Sequence, residues 1–274
     1  RRRRRRRRRG QGRRRRRRPA RRWCRRWRGR RPRRERRERR RGRAEPLVRE
    51  DGAGSQPLLG WALAHAADQV ASFTTSSTYT PDVWRRALNA HLPKDVVVLR
   101  SSDVHPSFNP TTEAVTKRYR YRIHDGEVRP VLARPFVWQW NSRLDVSAMQ
   151  KASTLLIGEH DFSSFENPSS PRASKVRKIN DLTIQRHTGG ECSSDSEIWI
   201  EIEGNGFLYN MVRIIAGTLL MVGTGKRPET WVGDVLADRQ RTSAGPTAPA
   251  QGLLLLQINL KPQTVVAARN GSSS

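Results

Sequence analysis

The chain reads Lys117-Arg118-Tyr119-Arg120-Tyr121-Arg122-Ile123, an unbroken alternation of cationic side chains with aromatic or aliphatic ones. Successive side chains of a β-strand point to opposite faces of a sheet, so this period of two predicts a strand. The two tyrosines and the isoleucine share one face, and the three arginines share the other. The stretch therefore predicts a half-buried strand, and the rest of the fold can be placed around it.

Upstream of this strand, the sequence predicts two short strands and one helix. Alternation over residues 69–73 and the apolar run at 96–99 indicate strands, the second of them buried. Thr80 and Pro81 begin a helix, since threonine is favoured at the N-cap and proline at the first helical position. That helix is expected to end before residue 93 and to bury its apolar positions Val83, Trp84, Leu88 and Leu92.

Downstream of the strand, helices and strands are segregated and do not alternate strictly. Asp145 can cap a helix that Gly158 closes, and a polar loop is expected over residues 160–174. Further strands are predicted at 178–186, 198–202 and 253–260, and further helices at 207–221 and 228–236. This arrangement favours an α+β fold with an antiparallel sheet.

The positive charge of the chain is concentrated at one end. Residues 1–50 contain 31 arginines, no lysine and four glutamates, so they carry +27 of the formal net charge of +30. Such a segment could be an arm that neutralises RNA phosphates. It could equally be low-complexity sequence that packs against nothing, or a wrong reading frame through GC-rich DNA, as the start at Arg1 suggests. Because these interpretations stay open, no function is based on the segment.

The cysteine content and hydropathy exclude several classes of protein. Cys24 and Cys192 have no partners in a metal-binding or disulfide pattern, which is typical of a reducing compartment. The longest apolar run, residues 207–222, is interrupted by polar residues and is too short to span a bilayer. No signal peptide is recognised. Membrane association is not expected, and targeting stays open between an organelle (plastid or mitochondrion) and the cytoplasm.

Five stretches in this order resemble the TruA family of tRNA pseudouridine synthases. They are His65-Ala66-Ala67-Asp68-Gln69-Val70-Ala71, Phe108 with Lys117-Arg118-Tyr119-Arg120-Tyr121, Gly158-Glu159-His160-Asp161-Phe162-Ser163-Ser164-Phe165, Phe207-Leu208-Tyr209-Asn210-Met211-Val212-Arg213 with Gly217, and Thr247-Ala248-Pro249-Ala250-Gln251-Gly252-Leu253. Each alone is weak, but five in the right order over about two hundred residues are specific.

The resemblance implies two ferredoxin-like (RRM-like) halves with antiparallel sheets joined across a central cleft that holds RNA. It also implies a homodimer that grips one tRNA and isomerises a uridine of the anticodon arm to pseudouridine without a cofactor or metal. On this basis residues 1–50 are an arginine-rich disordered segment and 51–144 a partial N-terminal half. Residues 145–262 are the C-terminal half, and 263–274 a disordered tail.

The resemblance also assigns candidate site residues. Tyr119 matches the active-site tyrosine that stacks on the uracil, and Arg213 matches the arginine that pairs with the catalytic aspartate. Leu253 resembles the apolar wall beside the base. The alternatives are a packing aromatic, a solvated helix edge and a core leucine, respectively. Arg120 and Arg177 are candidates for contacts with RNA phosphates, although basic residues in such positions are often merely solvated.

The nucleophile of the family is missing from its expected position. The family carries an aspartate four residues before the histidine that matches His65, and Trp61 occupies that position here. Tryptophan can neither attack the ribose nor carry negative charge, so the chain as written should be inactive. Asp68 and Asp51 are poor substitutes because of their positions. A misread exon or frame is favoured over an evolved loss, because scaffold and site residues disappear together near residue 64.

Three hypotheses about the function remain. The first is an RNA-modifying isomerase whose nucleophile is lost from this version of the chain. The second is a non-catalytic RNA-binding or ribonucleoprotein component that uses the same fold. An arginine-arm binder with an incidental body is a third, weaker reading. C5-tritium release from tRNA separates the first two.

Overall fold

The computed structural model describes residues 65–169, 173–187 and 196–262. The predictions for residues 1–50, for Trp61 and its neighbours, for both cysteines and for the tail 263–274 lie outside these residues. The predicted boundary between residues 144 and 145 stays a prediction.

The described residues form seven strands and four α-helices in the following order. They are β1 (His65–Ala66), α1 (Pro81–His91), β2 (Ala114–His124), β3 (Trp138–Gln139), α2 (Val146–Ser153), β4 (Gly158–Asp161), β5 (Val176–His187), β6 (Glu197–Gly204), α3 (Met211–Gly223), α4 (Trp231–Asp238) and β7 (Leu253–Leu260).

One mixed sheet contains all seven of these strands, in the order β1-β7-β2-β6-β5-β4, with β3 paired to β2. The β7-β2, β2-β6, β6-β5 and β5-β4 pairs are antiparallel, whereas β1 runs parallel to β7 and β3 parallel to β2. The α+β class and the antiparallel core of the sheet are therefore confirmed.

The alternating stretch lies in β2, between β7 and β6. Tyr119 is opposite Ile202 and Tyr121 is opposite Ile200 in the neighbouring strand, and all four side chains are buried. Helix α3 covers this inner face of the sheet with buried residues from Met211 to Gly223, and α2 packs beside it. Asp145 caps α2 as predicted, because its carboxylate accepts a hydrogen bond from the backbone N–H of Ala148 at 2.9 Å.

A buried carboxylate joins the far end of β2 to its neighbours. Asp125 has a fully buried side chain and accepts two hydrogen bonds from the guanidinium of Arg186, at 2.8 and 2.9 Å. It also accepts the backbone N–H of Leu144 at 2.9 Å. Burial alone would raise the pKa of Asp125, but the bonds from Arg186 and Leu144 lower it below its usual value. This cluster fixes β2, β5 and the start of α2 together.

The outer face of the sheet carries the three arginines of β2, each engaged with acidic residues. Arg118 pairs with Asp181, Glu201 and Glu203. Arg120 pairs with Glu201 and Arg122 with Glu197. Since four carboxylates face three guanidinium groups, this face is not a basic surface.

The upstream strand predictions are wrong. Residues 69–73 and 96–99 form no strand, and Val96, Val97 and Leu99 are 51%, 65% and 67% exposed. The side chain of Asn89 accepts from the backbone N–H of Val98 at 2.7 Å and donates to its carbonyl oxygen at 2.9 Å. This carboxamide takes the place of a neighbouring strand for Val98.

Helix α1 begins at the predicted proline but buries none of its residues completely, and Leu92 lies just beyond its end. Val83, Trp84 and Leu88 are only half-buried, because few apolar groups among the described residues cover this helix. The prediction that α1 buries its apolar face is therefore wrong, because that face is only partly buried.

Three downstream boundaries differ from the predictions. The expected polar loop begins instead with strand β4, which pairs with β5 from Gly158 onward. Helix α4 begins at Trp231. Helix α3 begins four residues later than predicted, because Asn210 has φ of 62°, a left-handed conformation that a right-handed helix cannot include.

Candidate active site

Strand β2 and helix α3 both form hydrogen bonds with the short segment at residues 248–249, which leads into β7. The Nε of Arg213 donates to the carbonyl oxygen of Ala248 at 2.7 Å, and the hydroxyl of Tyr121 donates to the carbonyl oxygen of Pro249 at 2.6 Å. The backbone N–H of Ala248 also donates to the carbonyl oxygen of Arg213 at 3.1 Å. Tyr121 and Arg213, which belong to two motifs far apart in the sequence, thus both contact the third motif at residues 247–253.

Arg213 is a half-buried cation with neutral partners. Besides Ala248, its Nη1 donates to the side-chain oxygen of Asn210 at 2.9 Å. Among the residues that the structure describes, no carboxylate pairs with it. A guanidinium has five N–H donors, so this one can still bind a carboxylate.

Asn210 is a site residue that the sequence reasoning missed. Its left-handed backbone, at φ of 62°, stands immediately before α3 and leaves the side chain bonded to Arg213, with no capping bond to the helix. Asparagine tolerates this conformation better than most residues. An asparagine just ahead of an apolar helix, three positions before an arginine, is the signal that could have identified it.

Tyr119 lies on the inner face beside this cluster, with its side chain only 6% exposed. Its ring meets the ring of Phe207 edge to face, with centroids 5.1 Å apart. Burial raises the pKa of Tyr119 to about 12, so the phenol keeps its proton at neutral pH. Burial likewise raises the pKa of Tyr121, against a smaller opposing effect of the positive charge of Arg213.

Two other predicted residues lie beside this group of side chains. Leu253 is opposite Tyr121 in the β2-β7 pair and is 6% exposed. The side chain of Arg177 runs over Gly206, two atoms of it lying 3.7 Å from where a Cβ of that glycine would be. Gly206 precedes Phe207, so Arg177 lies beside the loop that packs on Tyr119.

Arg120 lies elsewhere. It is on the outer face, where its Nε donates to Glu201 at 2.8 Å and its guanidinium lies 3.6 Å from the ring centroid of Trp199. The structure therefore separates Arg120 from Tyr119 and Arg213 by the thickness of the sheet. Its contact with RNA stays a prediction for another surface.

The N-terminal end of strand β1 lies toward the segment that binds Arg213. Because β1 and β7 are parallel, with His65 opposite Leu254, the N-terminal end of β1 lies toward residues 248–252. Asp68 lies beyond the C-terminal end of β1, on the side away from Ala248. Its carboxylate accepts a hydrogen bond from the backbone N–H of Ile258 at 3.0 Å. Ile258 is five residues along β7 from Leu253, about 17 Å in a strand. Asp68 is thus no substitute partner for Arg213.

The described residues contain no group of three or more histidine, cysteine, aspartate or glutamate side chains placed to hold a metal ion. Their helices also include none with the length and apolar content that a bilayer crossing requires.

The sequence is similar to a family and to several bacterial proteins. A family model described as tRNA pseudouridine synthase matches residues 152–259. The tRNA pseudouridine synthase A of Thermoanaerobacter sp. (strain X514) is 44% identical over 194 residues, which cover 71% of this chain and 77% of that protein. The protein of the same name from Halalkalibacterium halodurans is 43% identical over 196 residues, 72% of each chain. That from Shouchella clausii is 44% identical over 195 residues, 71% of this chain and 72% of that protein.

Proposed function

This chain belongs to the tRNA pseudouridine synthase A (TruA) family of isomerases, and on that premise we propose that Arg213 and Tyr119 form its uridine site. The proposal depends mainly on the burial and the hydrogen-bond partners of Arg213. A half-buried guanidinium is held by two neutral oxygen atoms, beside two buried tyrosines and with no carboxylate among the described residues. Such a group is suited to receive a carboxylate and keep it ionised.

The reaction itself requires that carboxylate. Conversion of uridine to pseudouridine breaks the bond from N1 to C1′, turns the base over and forms the bond from C5 to C1′. The C5 proton leaves and N1 gains one, so product and substrate are isomers and no oxidant is consumed. Positive charge or a covalent link develops at C1′, and a carboxylate must stabilise or form it.

Arg213 therefore acts as the positioning cation for the nucleophile. The nucleophile would come from the residues just before β1, whose N-terminal end lies toward Ala248. In this chain the corresponding residue is Trp61. We expect the chain as written to bind tRNA without isomerising it, and a gene product with aspartate there to be active.

Tyr119 and Leu253 provide the walls for the base in this proposal. Both are buried, and the rings of Tyr119 and Phe207 pack edge to face. With a pKa of about 12, Tyr119 meets the uracil as a neutral phenol. It can stack and donate a hydrogen bond, and it can accept the C5 proton only if its own proton leaves at the same time.

The finer architecture and assembly belong to the same proposal. Residues 145–262, with strands β4 to β7 and helices α2 to α4, would be one ferredoxin-like half, and residues 51–144, with β1, α1, β2 and β3, would be part of an incomplete N-terminal half. The antiparallel pairing of β4, β5 and β6 and the packing of α2 against α3 support this proposal, and β2 lies between β7 and β6, so the two halves would share one sheet. We further propose a homodimer acting on the anticodon arm of tRNA.

A C5-tritium release assay on labelled tRNA tests the site. The chain as written should release no tritium, and a variant with Leu59→Arg, Gly60→Thr and Trp61→Asp should release it. Adding Arg213→Ala should then lower the rate roughly 10- to 150-fold, because a charged hydrogen bond is worth roughly 1.5–3 kcal/mol. Adding Lys151→Ala removes an exposed charge on α2 instead and should leave the rate unchanged. Release by the unaltered chain, or no effect of Arg213→Ala, would refute the proposal.

The lack of an aspartate at position 61 favours one second candidate, a non-catalytic RNA-binding component with the same fold. It predicts that the restored variant still releases no tritium while tRNA-selective binding persists.

A further inference from the structure

A small cavity lies next to the proposed uridine site. Its volume is about 130 Å³, and it is lined by Arg129, Pro130, Arg134, Val137, Gln139 and Gln251. The first five residues belong to the connection from β2 to β3 and to β3 itself, and Gln251 belongs to the turn that leads into β7. The cavity is therefore formed between two segments far apart in sequence.

The chain connects this cavity directly to Arg213. Gln251 is three residues beyond Ala248, whose carbonyl oxygen binds Arg213, and three residues span at most about 11 Å. The ring of His65 in β1 also contacts this connection, because its centroid lies 4.6 Å from that of the Phe136 ring. Phe136 is two residues after Arg134. A nucleotide next to one bound at Arg213 could reach the cavity.

Arg129 and Arg134 differ from the arginines of the outer face. Both are exposed, and neither has an ion pair or hydrogen bond among the residues that the structure describes. Arg118, Arg120 and Arg122 are all occupied by acidic residues. No acidic residue lines the cavity, so its two guanidinium groups are available for an anion. Planar guanidinium groups suit phosphate oxygens in particular.

The walls of the cavity are fixed. Pro130 and Val137 are buried, and the side-chain nitrogen of Gln139 donates to the carbonyl oxygens of Gly126 and Trp140, at 3.2 and 3.4 Å. Those two bonds orient the carboxamide, and its oxygen is buried without a partner among the described residues. That oxygen lacks a donor, which an RNA ribose hydroxyl can supply and a backbone phosphodiester, having no proton, cannot.

The size of the cavity fits part of a nucleotide. A volume of about 130 Å³ is well below the roughly 300–1,000 Å³ of pockets that enclose whole small molecules. It has room for a backbone phosphate and the adjoining sugar edge, and a separate nucleobase would not fit with them.

We propose that Arg129 and Arg134 bind a backbone phosphate of the substrate RNA next to the target uridine, with Gln139 and Gln251 contacting the adjoining ribose. This inference rests on the proposed function, because it takes Arg213 as the position of the uridine. The subsite holds the RNA strand in register, while Tyr119 and Leu253 contact the base.

Arginine-selective dicarbonyl modification of the full chain, read by peptide mass spectrometry, tests the subsite residue by residue. Bound tRNA should lower the modification of Arg129 and Arg134 several-fold and leave Arg118 and Arg122 unchanged. Inorganic phosphate at the same phosphate concentration should not protect the pair, and equal protection by it would overturn the assignment to RNA. Protection of Arg213 without Arg129 and Arg134 overturns the subsite alone. Protection of none of the three overturns the proposed function as well.

Matched variants provide the second test. Arg129→Ala with Arg134→Ala should weaken tRNA binding about tenfold and reduce the slope of log affinity against log salt by roughly 0.7–0.9, the effect of one phosphate contact. Arg129→Lys with Arg134→Lys should recover most of the slope and only part of the affinity, since lysine keeps the charge without the planar fork. Lys151→Ala, an exposed charge on α2, should change neither quantity by as much. An alanine pair that behaves like Lys151→Ala would contradict the proposal.

Discussion

Replacing Gly217 by alanine should push helix α3 away from the segment that positions Arg213. A Cβ at residue 217 would lie 1.8 Å from the carbonyl oxygen of Pro246 and 2.9 Å from its carbonyl carbon. Both atoms belong to the backbone, so no side-chain rotation relieves the clash. A normal contact requires the helix and the segment to separate by more than 1 Å, which also strains the bonds between Arg213 and Ala248.

The magnitude follows from three contributions. Overpacking of a rigid contact costs about 1–3 kcal/mol. Loss of the charged bond from Arg213 to Ala248 costs roughly 1.5–3 kcal/mol. Alanine in a helix gains about 1 kcal/mol over glycine. The net destabilisation is therefore about 2–5 kcal/mol, a fall in melting temperature of roughly 5–15 °C for a body of this size.

Gly233 in α4 provides the matched control, because a Cβ there would meet only the side chain of Leu155, at 3.7 Å. Gly233→Ala should keep or slightly raise the melting temperature measured by circular dichroism, whereas Gly217→Ala should lower it. In the aspartate-restored background, Gly217→Ala should also slow tritium release. If both variants melt at the same temperature, the close approach of α3 to Pro246 does not hold Arg213 against Ala248.

Three further changes have defined outcomes. Asp125→Asn should destabilise the fold by about 3–5 kcal/mol at neutral pH, since it leaves the guanidinium of Arg186 without its buried partner. The folded-state pKa of Asp125 is depressed, so its contribution is present above the unfolded pKa of about 3.9 and is lost as the pH falls through the folded value. Denaturant melts of both proteins at several pH values should therefore converge in acid. Tyr121→Phe should cost about 1 kcal/mol in the same assay through loss of the 2.6 Å bond to Pro249. Asn210→Gly keeps the left-handed backbone and removes the bond to Arg213, so it should lower tritium release by the restored chain while changing the melting temperature little, and Asn210→Ala should lower both.

Some elements of the fold were predictable from the sequence, and others were not. The strand at β2, the cap at Asp145 and the strand β7 were predictable, because each depends on a local pattern of alternation or capping that neighbours reinforce. The strand predicted at 96–99 failed because a strand needs a partner, and Asn89 occupies the backbone of Val98 instead. The late start of α3 depended on the backbone of a single residue, Asn210.

The sequence by itself determined the family of the chain, the alternation of β2 and the absence of an aspartate four residues before His65. Those properties depend on residue order alone. Only the tertiary structure decided which arginines have acidic partners, because charge pairing joins residues far apart in the chain, as Arg120 and Glu201 show. The same dependence on distant neighbours placed Arg213 against Ala248 and left Arg129 and Arg134 without acidic partners among the described residues.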